Sequence, residues 1–215
     1  MKTLILLAAL LCVPTFVSAA AWDNDSPNWS LELKGGAFFP DISDWSKYYG
    51  NSYTGEYGGA VAYKLFRQLE VGVEASYITD TGKGSAPLNG VLSGEVTTQR
   101  VPVNLLLLAR GVFYEKQLLV PYIGAGWNRT FYWQETKNQG KVSGSVNGYV
   151  GRAGLQVLLD DIDPDASESL NTDYGVRHSY FFAEGKYTNA KASTVSSGSV
   201  NLGGTSWLGG FLFEF

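Results

Sequence analysis

Sulfur and imidazole are almost missing from this chain. It has one cysteine, Cys12, one methionine, Met1, and one histidine, His178. A disulfide needs two thiols, so none can form within one chain. A zinc site built on several histidines is excluded by the same count. Long apolar runs are also absent beyond the first residues. The longest is Leu105-Leu106-Leu107-Leu108-Ala109, far short of the roughly 18–20 residues that a spanning helix needs. No run of basic residues occurs and no basic residues interleave with aromatics, which argues against nucleic acid as a partner.

The first residues read as a secretory signal. Lys2 supplies the positive start, Leu4 to Val17 the short apolar run, and Val17-Ser18-Ala19 the small residues for cleavage before Ala20. Residues 1–19 are thus expected to be removed, leaving one domain over 20–215. Cys12 goes with the leader. It follows Leu10-Leu11 rather than a small residue, which argues against a lipid anchor. The whole chain carries 16 basic and 20 acidic residues; without Lys2 the balance is 15 against 20, or −5.

What the chain has instead is glycine and aromatic residues. Gly makes up 26 of 215 positions, about 12% against a usual ~7%. There are 6 Trp, 13 Tyr and 11 Phe. Helix formers are sparse. The carboxyl end, Gly210-Phe211-Leu212-Phe213-Glu214-Phe215, sets an aromatic at every second position. In a strand these share one face, and a strand facing lipid has a reason to carry such a stripe.

Eight alternating segments can be read, near the 9–11 residues of a tilted membrane strand. They run from Trp29 to Phe39, Tyr53 to Leu65, Leu69 to Tyr77, Val96 to Ala109, Pro121 to Trp133, Ser145 to Leu159, Tyr180 to Tyr187 and Val200 to Phe215. Their apolar faces carry residues such as Leu31 and Leu33, Val71 and Val73, Leu105 and Leu107, and Phe211 and Phe213. Long polar connectors follow the first, third, fifth and seventh: Pro40 to Ser52, Asp80 to Glu95, Gln134 to Gly144 and Thr188 to Ser199. A tight turn at Phe66-Arg67-Gln68 follows the second. Arg110 to Val120 and Asp160 to Ser179 are longer than tight turns. The pattern predicts an all-β fold, an eight-stranded antiparallel up-and-down transmembrane β-barrel. A soluble sandwich or lipocalin-like barrel shows the same alternation with the faces reversed. Small and mixed-charge residues on the polar faces, aromatics near strand ends and the aromatic terminus favour the membrane barrel.

The residues resemble the small outer-membrane β-barrel proteins of Gram-negative bacteria, the group of OmpX, OmpW and the OmpA membrane domain. The resemblance is carried by Val101-Pro102-Val103-Asn104-Leu105, Pro121-Tyr122-Ile123-Gly124-Ala125-Gly126, Phe182-Ala183-Glu184-Gly185-Lys186-Tyr187 and the terminal Phe215. It implies export to the outer membrane and contact with its lipid and lipopolysaccharide. It also implies delivery by periplasmic chaperones and recognition by the barrel assembly machinery. The group's carboxyl-terminal assembly signal is similar to polar-x-Gly-x-x-aromatic-x-aromatic. Gly210, Phe213 and Phe215 match it, while Leu208 departs from the polar position. A monomer is expected.

The inward faces are expected to carry Glu32, Lys34, Glu56, Lys64, Glu70, Glu74, Arg100, Arg152, Glu184 and Lys186. Buried charge is costly unless paired and hydrogen-bonded, and side chains about fill an eight-stranded barrel. A salt-bridged plug is therefore expected, with Arg100 and Arg152 pairing with Glu184 and neighbouring carboxylates. A selective pore is the alternative. His178 precedes Ser179, the pair used by some outer-membrane lipid A-modifying enzymes together with a carboxylate. No matching carboxylate motif is evident, and a polar rim residue is the simpler reading. Asp161-Ile162-Asp163-Pro164-Asp165 opens like a calcium loop, but Ala166 replaces the required Gly and Thr172 the bidentate Glu. A solvated acidic turn is expected there. Trp45, Tyr48 and Tyr49 are expected in a hydrophilic or adhesive external loop.

These readings predict no cofactor, no metal and no catalysis, with a structural or surface-interaction role. An OmpW-like channel for small or hydrophobic molecules is the alternative, and a lipid A-modifying enzyme the third.

Overall fold

The computed structural model of the protein describes residues 27–42, 45–85, 92–114, 116–136, 140–193 and 199–215. The signal-peptide reading falls outside these residues. Eight antiparallel strands close into a barrel: β1 (Trp29–Pro40), β2 (Thr54–Phe66), β3 (Leu69–Ser85), β4 (Leu92–Arg110), β5 (Leu119–Thr136), β6 (Gly140–Leu158), β7 (His178–Asn189) and β10 (Gly204–Glu214). Each pairs with its chain neighbour. The ring closes where β1 meets β10, from Ser30 opposite Glu214 to Pro40 opposite Gly204. A two-stranded ribbon, β8 (Lys191–Ser193) and β9 (Ser199–Asn201), lies on the β7–β10 connection. Among the described residues, two helices interrupt other connections: α1 (Trp45–Tyr49) after β1, and α2 (Pro164–Tyr174) after β6. The start of β1, the end of β10 and the β2–β3, β4–β5 and β6–β7 links share one end of the barrel, the terminal end. The other links form the loop end.

Alternation places one side-chain set outside and the other inside. The outer set is apolar: Leu33 is 54% exposed, Val73 53% and Ile123 64%. The inner set holds buried charge at Glu32, Lys34, Glu74, Arg152 and Glu184. That is the reverse of a soluble barrel. A continuous apolar belt of this extent is rare on a protein surrounded by water. Aromatics border it on β1 at Trp29, which meets Tyr63 edge-on at 5.0 Å, and at Phe39, which meets Tyr53 at 5.8 Å. Ten strand steps separate Trp29 from Phe39, about 33 Å along the strand. A tilt of roughly 40° reduces this to ~25 Å, the height of a membrane barrel's apolar band.

The strand pattern in the sequence matches these eight barrel strands, with two differences. The segments 80–95 and 134–144, expected as loops, continue the ladders in part: Asp80 pairs with Thr98, and Glu135 with Lys141. Backbone pairing carries these hairpins beyond the apolar belt, where alternation no longer marks a strand. The eighth segment does not run unbroken from Val200. β9 leaves the barrel to pair with β8, and the barrel strand begins at Gly204. The acidic connector is also not a plain turn. Asp163 caps α2, accepting from the Ala166 backbone N–H at 3.1 Å, and Gly175 ends the helix at φ 72°.

Candidate functional site: the barrel interior

Glycine makes room for the interior charges. Lys34 is flanked across its two neighbouring strands by Gly58 and Gly210, and Arg152 by Gly124 on β5. A Cβ on Gly210 would lie 2.0 Å from the Leu33 carbonyl oxygen, so the β1–β10 closure requires glycine there. Long side chains thus reach the barrel axis where their neighbours have none.

At mid-height these chains form one cluster. Arg152 donates to both oxygens of Glu32, at 2.7 and 3.0 Å, and reaches Glu74 at 3.2 Å and Glu184 at 3.3 Å. Lys34 Nζ contacts Glu74, donates to Glu184 at 2.9 Å and lies 3.4 Å from Glu32. Lys186 joins Glu74 at 2.9 Å to Glu56 at 2.5 Å. Neutral donors fill remaining lone pairs. Tyr122 donates to Glu184 at 2.7 Å, Asn104 to Glu74 at 2.9 Å, and Ser76 and Ser206 to Glu56 at 2.7 and 2.5 Å. A buried carboxylate with several donors of this kind escapes the cost of an unpaired one.

A second charged layer lies toward the terminal end. Arg110 donates to Glu70 at 2.8 Å, to Glu214 and to Gln156 at 2.7 and 3.0 Å, and sits over the Tyr180 ring. Lys64 pairs with Glu214 at 2.8 Å. Arg110 and Glu214 were not among the residues that the sequence singled out. Strand parity could have found both: Arg110 shares a face with Asn104, and Glu214 lies between the outward Phe213 and Phe215. Among the described residues, the buried interior charges are six carboxylates (Glu32, Glu56, Glu70, Glu74, Glu184, Glu214) and six cations (Lys34, Lys64, Arg100, Arg110, Arg152, Lys186). These twelve strand charges balance, with the buried Asp160 lying beyond the end of β6. The interior is not wholly polar, since Leu106, Leu108, Phe182 and Leu212 are also buried.

Arg100 corrects one expectation. It does not join Arg152 at Glu184. It donates to the Leu202 carbonyl at 3.0 Å and lies 4.7 Å from the Phe38 ring centre and 5.1 Å from that of Trp45. α1 folds back over the loop end to make this contact. Trp45 and Tyr49 stack at 3.7 Å, and Tyr49 shares a 2.7 Å hydrogen bond with Thr98. Burial raises the Tyr49 phenol above its ordinary pKa. Both aromatics are buried, not displayed on a solvated loop; covering the Arg100 guanidinium gives them a reason to turn inward. Beneath Arg100 lies a cavity of about 10 Å³, bordered by Phe38, Glu56, Thr130 and Leu202, room for about one water.

At the terminal end the structure supplies a carboxylate that the sequence pattern did not show. Asp160 Oδ2 lies 2.7 Å from His178 Nδ1, while Oδ1 accepts from the Ser179 backbone N–H at 2.9 Å and from its hydroxyl at 3.1 Å. Burial alone would raise the Asp160 pKa. The hydrogen bonds from His178 and Ser179 outweigh it and hold the carboxyl below its ordinary range. The Ser179 hydroxyl is turned to the carboxylate rather than to the imidazole. A hydroxyl activated for attack would face the base. Among the described residues, no group of three or more His, Cys, Asp or Glu side chains is placed to hold a metal.

No protein-family model matches the chain, and no curated protein is significantly similar to it in sequence. Solved structures are similar in fold. The chain resembles Neisserial surface protein A with a TM-score of 0.56 at 9% identity, over 87% of this chain and 97% of that one. It resembles the N-terminal β-barrel domain of Pseudomonas aeruginosa OprF with a TM-score of 0.52 at 13% identity, over 88% and 98%. The fold is therefore that of the small eight-stranded outer-membrane β-barrels.

Proposed function

We propose that the protein is an exported, integral outer-membrane barrel with a closed lumen, serving a structural or surface-interaction role. The observation that carries this reading is the mid-height cluster. Glu32, Lys34, Glu74, Arg152, Glu184 and Lys186 come from four strands and meet at the axis through contacts of about hydrogen-bond length. A hydrated ion would have to break charge-assisted bonds in this layer to pass. The aromatic-bordered apolar belt supports lipid as the outer solvent. The terminal end is then periplasmic and the loop end faces outward.

On this reading the partners are outer-membrane lipid and lipopolysaccharide. Periplasmic chaperones act during transit and the barrel assembly machinery during insertion. The barrel works as a monomer. It is not an enzyme, a reading supported by the Ser179 hydroxyl facing Asp160 instead of His178. Single-channel recording in planar bilayers tests the closed lumen. The wild type should show no steady current, and a stable conductance would favour a channel for small molecules instead. Cell fractionation with heat-modifiable gel mobility tests the location.

A further inference from the structure

We propose that Arg129 on β5 binds the phosphate of a lipid headgroup in the leaflet at the loop end of the barrel. The inference rests on the membrane reading above. Trp127 and Tyr149 face each other across β5 and β6, both outward. The next outward pair toward the loop end is Arg129 and Asn147, and the next is Phe131 and Ser145. Below the aromatic pair, the outward residues of β6 are Ala153, Leu155 and Val157. Above it they are Asn147, Ser145 and Ser143, all exposed. The β6 face thus changes from apolar to polar at the level of Arg129, while β5 continues with the aromatics Phe131 and Trp133, the mixture found where headgroups meet a bilayer's hydrocarbon.

The guanidinium is exposed yet oriented. It donates to Ser145 Oγ at 3.1 Å and lies 5.4 Å from the Phe131 ring centre. Its strand neighbours Asn128 and Thr130 are buried and joined at 2.8 Å, which fixes the backbone that carries it. Glu135 and Lys141, also outward on these two strands, pair with each other at 2.9 Å near the hairpin tip. A planar guanidinium matches two phosphate oxygens, and an anionic headgroup complements a basic side chain at this depth.

The test is native mass spectrometry of the full barrel reconstituted with lipid A or with enzymatically dephosphorylated lipid A. The wild type should retain the phosphorylated lipid preferentially. Arg129→Gln should reduce that retention roughly five-fold, as expected for one lost basic contact, and Arg129→Lys should restore part of it. Heat-modifiable mobility shows that each variant is folded. Equal retention of both lipids, or no change in Arg129→Gln, would overturn the proposal. So would displacement of the lipid by millimolar inorganic phosphate, which would mark a site for the free ion. A protein that never enters the bilayer would refute the membrane reading itself, a result distinct from these.

Discussion

Arg152 holds Glu32 with both arms of its guanidinium, at 2.7 and 3.0 Å, across 120 residues of sequence. The two residues stand on β6 and β1, which are not neighbours in the ring. Their bond is a chord through the lumen rather than a rung between adjacent strands. The strand ladders define a cylinder, and chords of this kind set its diameter.

Removing Arg152 should therefore be costly. Arg152→Met leaves Glu32, Glu74 and Glu184 short of a cation, and loss of one partner of a buried ion pair costs about 3–5 kcal/mol. Urea unfolding in lipid vesicles, followed by tryptophan fluorescence, should show a lower midpoint. Glu32→Gln should cost less, because Lys34 and Arg152 retain Glu74 and Glu184. A double variant whose cost equals the sum of the two single costs would show that the pair is not coupled.

The loop-end cap should be separable from the lumen. Tyr49→Phe removes the hydrogen bond to Thr98, worth about 1 kcal/mol. Trp45→Ala uncovers one face of Arg100. Both should increase proteolysis near residues 45–49 while the barrel stays folded by gel mobility. Neither should produce a current in planar bilayers, because the mid-height cluster lies below the cap. A steady current from Trp45→Ala would place the barrier at α1 instead.

Asp160 provides a pH dependence of known sign. Its carboxyl is held below the ordinary range, so the folded state binds this proton more weakly than the unfolded state does. The stabilisation is fully present above the unfolded carboxyl pKa of about 3.9. It is lost as the pH falls through the depressed folded value. The protection factor at Ser179, the unstructured exchange rate relative to its own at the same pH, should be flat near neutrality and fall in acid. In Asp160→Asn the acid-dependent component should vanish; its persistence would assign the effect to another carboxylate.

The carboxyl-terminal strand should show two kinds of defect. Gly210→Val places a side chain against the Leu33 carbonyl and should prevent closure of β1 on β10 even in detergent refolding. Phe215→Ala touches the outward stripe and should refold in detergent, yet should lower the amount of assembled protein in cells. Equal refolding by both variants would show that the β1–β10 seam tolerates a Cβ at residue 210. Unchanged assembly of Phe215→Ala would remove Phe215 from the assembly signal.

The outer face was legible in the sequence because lipid imposes one requirement on it. Residues such as Leu31 and Leu33, or Val71 and Val73, repeat at every second position, and the barrel strands follow that repeat. Strand ends beyond the belt were not legible. Asp80 and Glu135 sit in paired strands where either face can meet water, so no period marks them. The charged interior was visible as residue types, and the pairing of Arg152 with Glu184 and its neighbouring carboxylates was expected, but the partners of Arg100 were not. Nothing local separates Arg152, which joins the mid-height cluster, from Arg100, which turns to Phe38 and Trp45. That difference depends on the height at which each strand delivers its side chain and on the return of α1 over the loop end. Asp160 and His178 illustrate the same limit: groups 18 positions apart, with a helix between them, meet at 2.7 Å.

The Lys34–Glu184 and Lys186–Glu56 bonds join residues 150 and 130 positions apart. Such contacts carry a consequence for the order of events during biogenesis. No early fragment of the chain contains both halves of these bonds, and loop closure over such separations comes late. An emerging β1 carries Glu32 and Lys34 without Arg152 and Glu184, so its charged face stays solvated until the ring nears completion. The interior is thus a checkpoint on length: a chain truncated before β7 would retain Lys34 and lack Glu184, and would have no dry lumen to put it in.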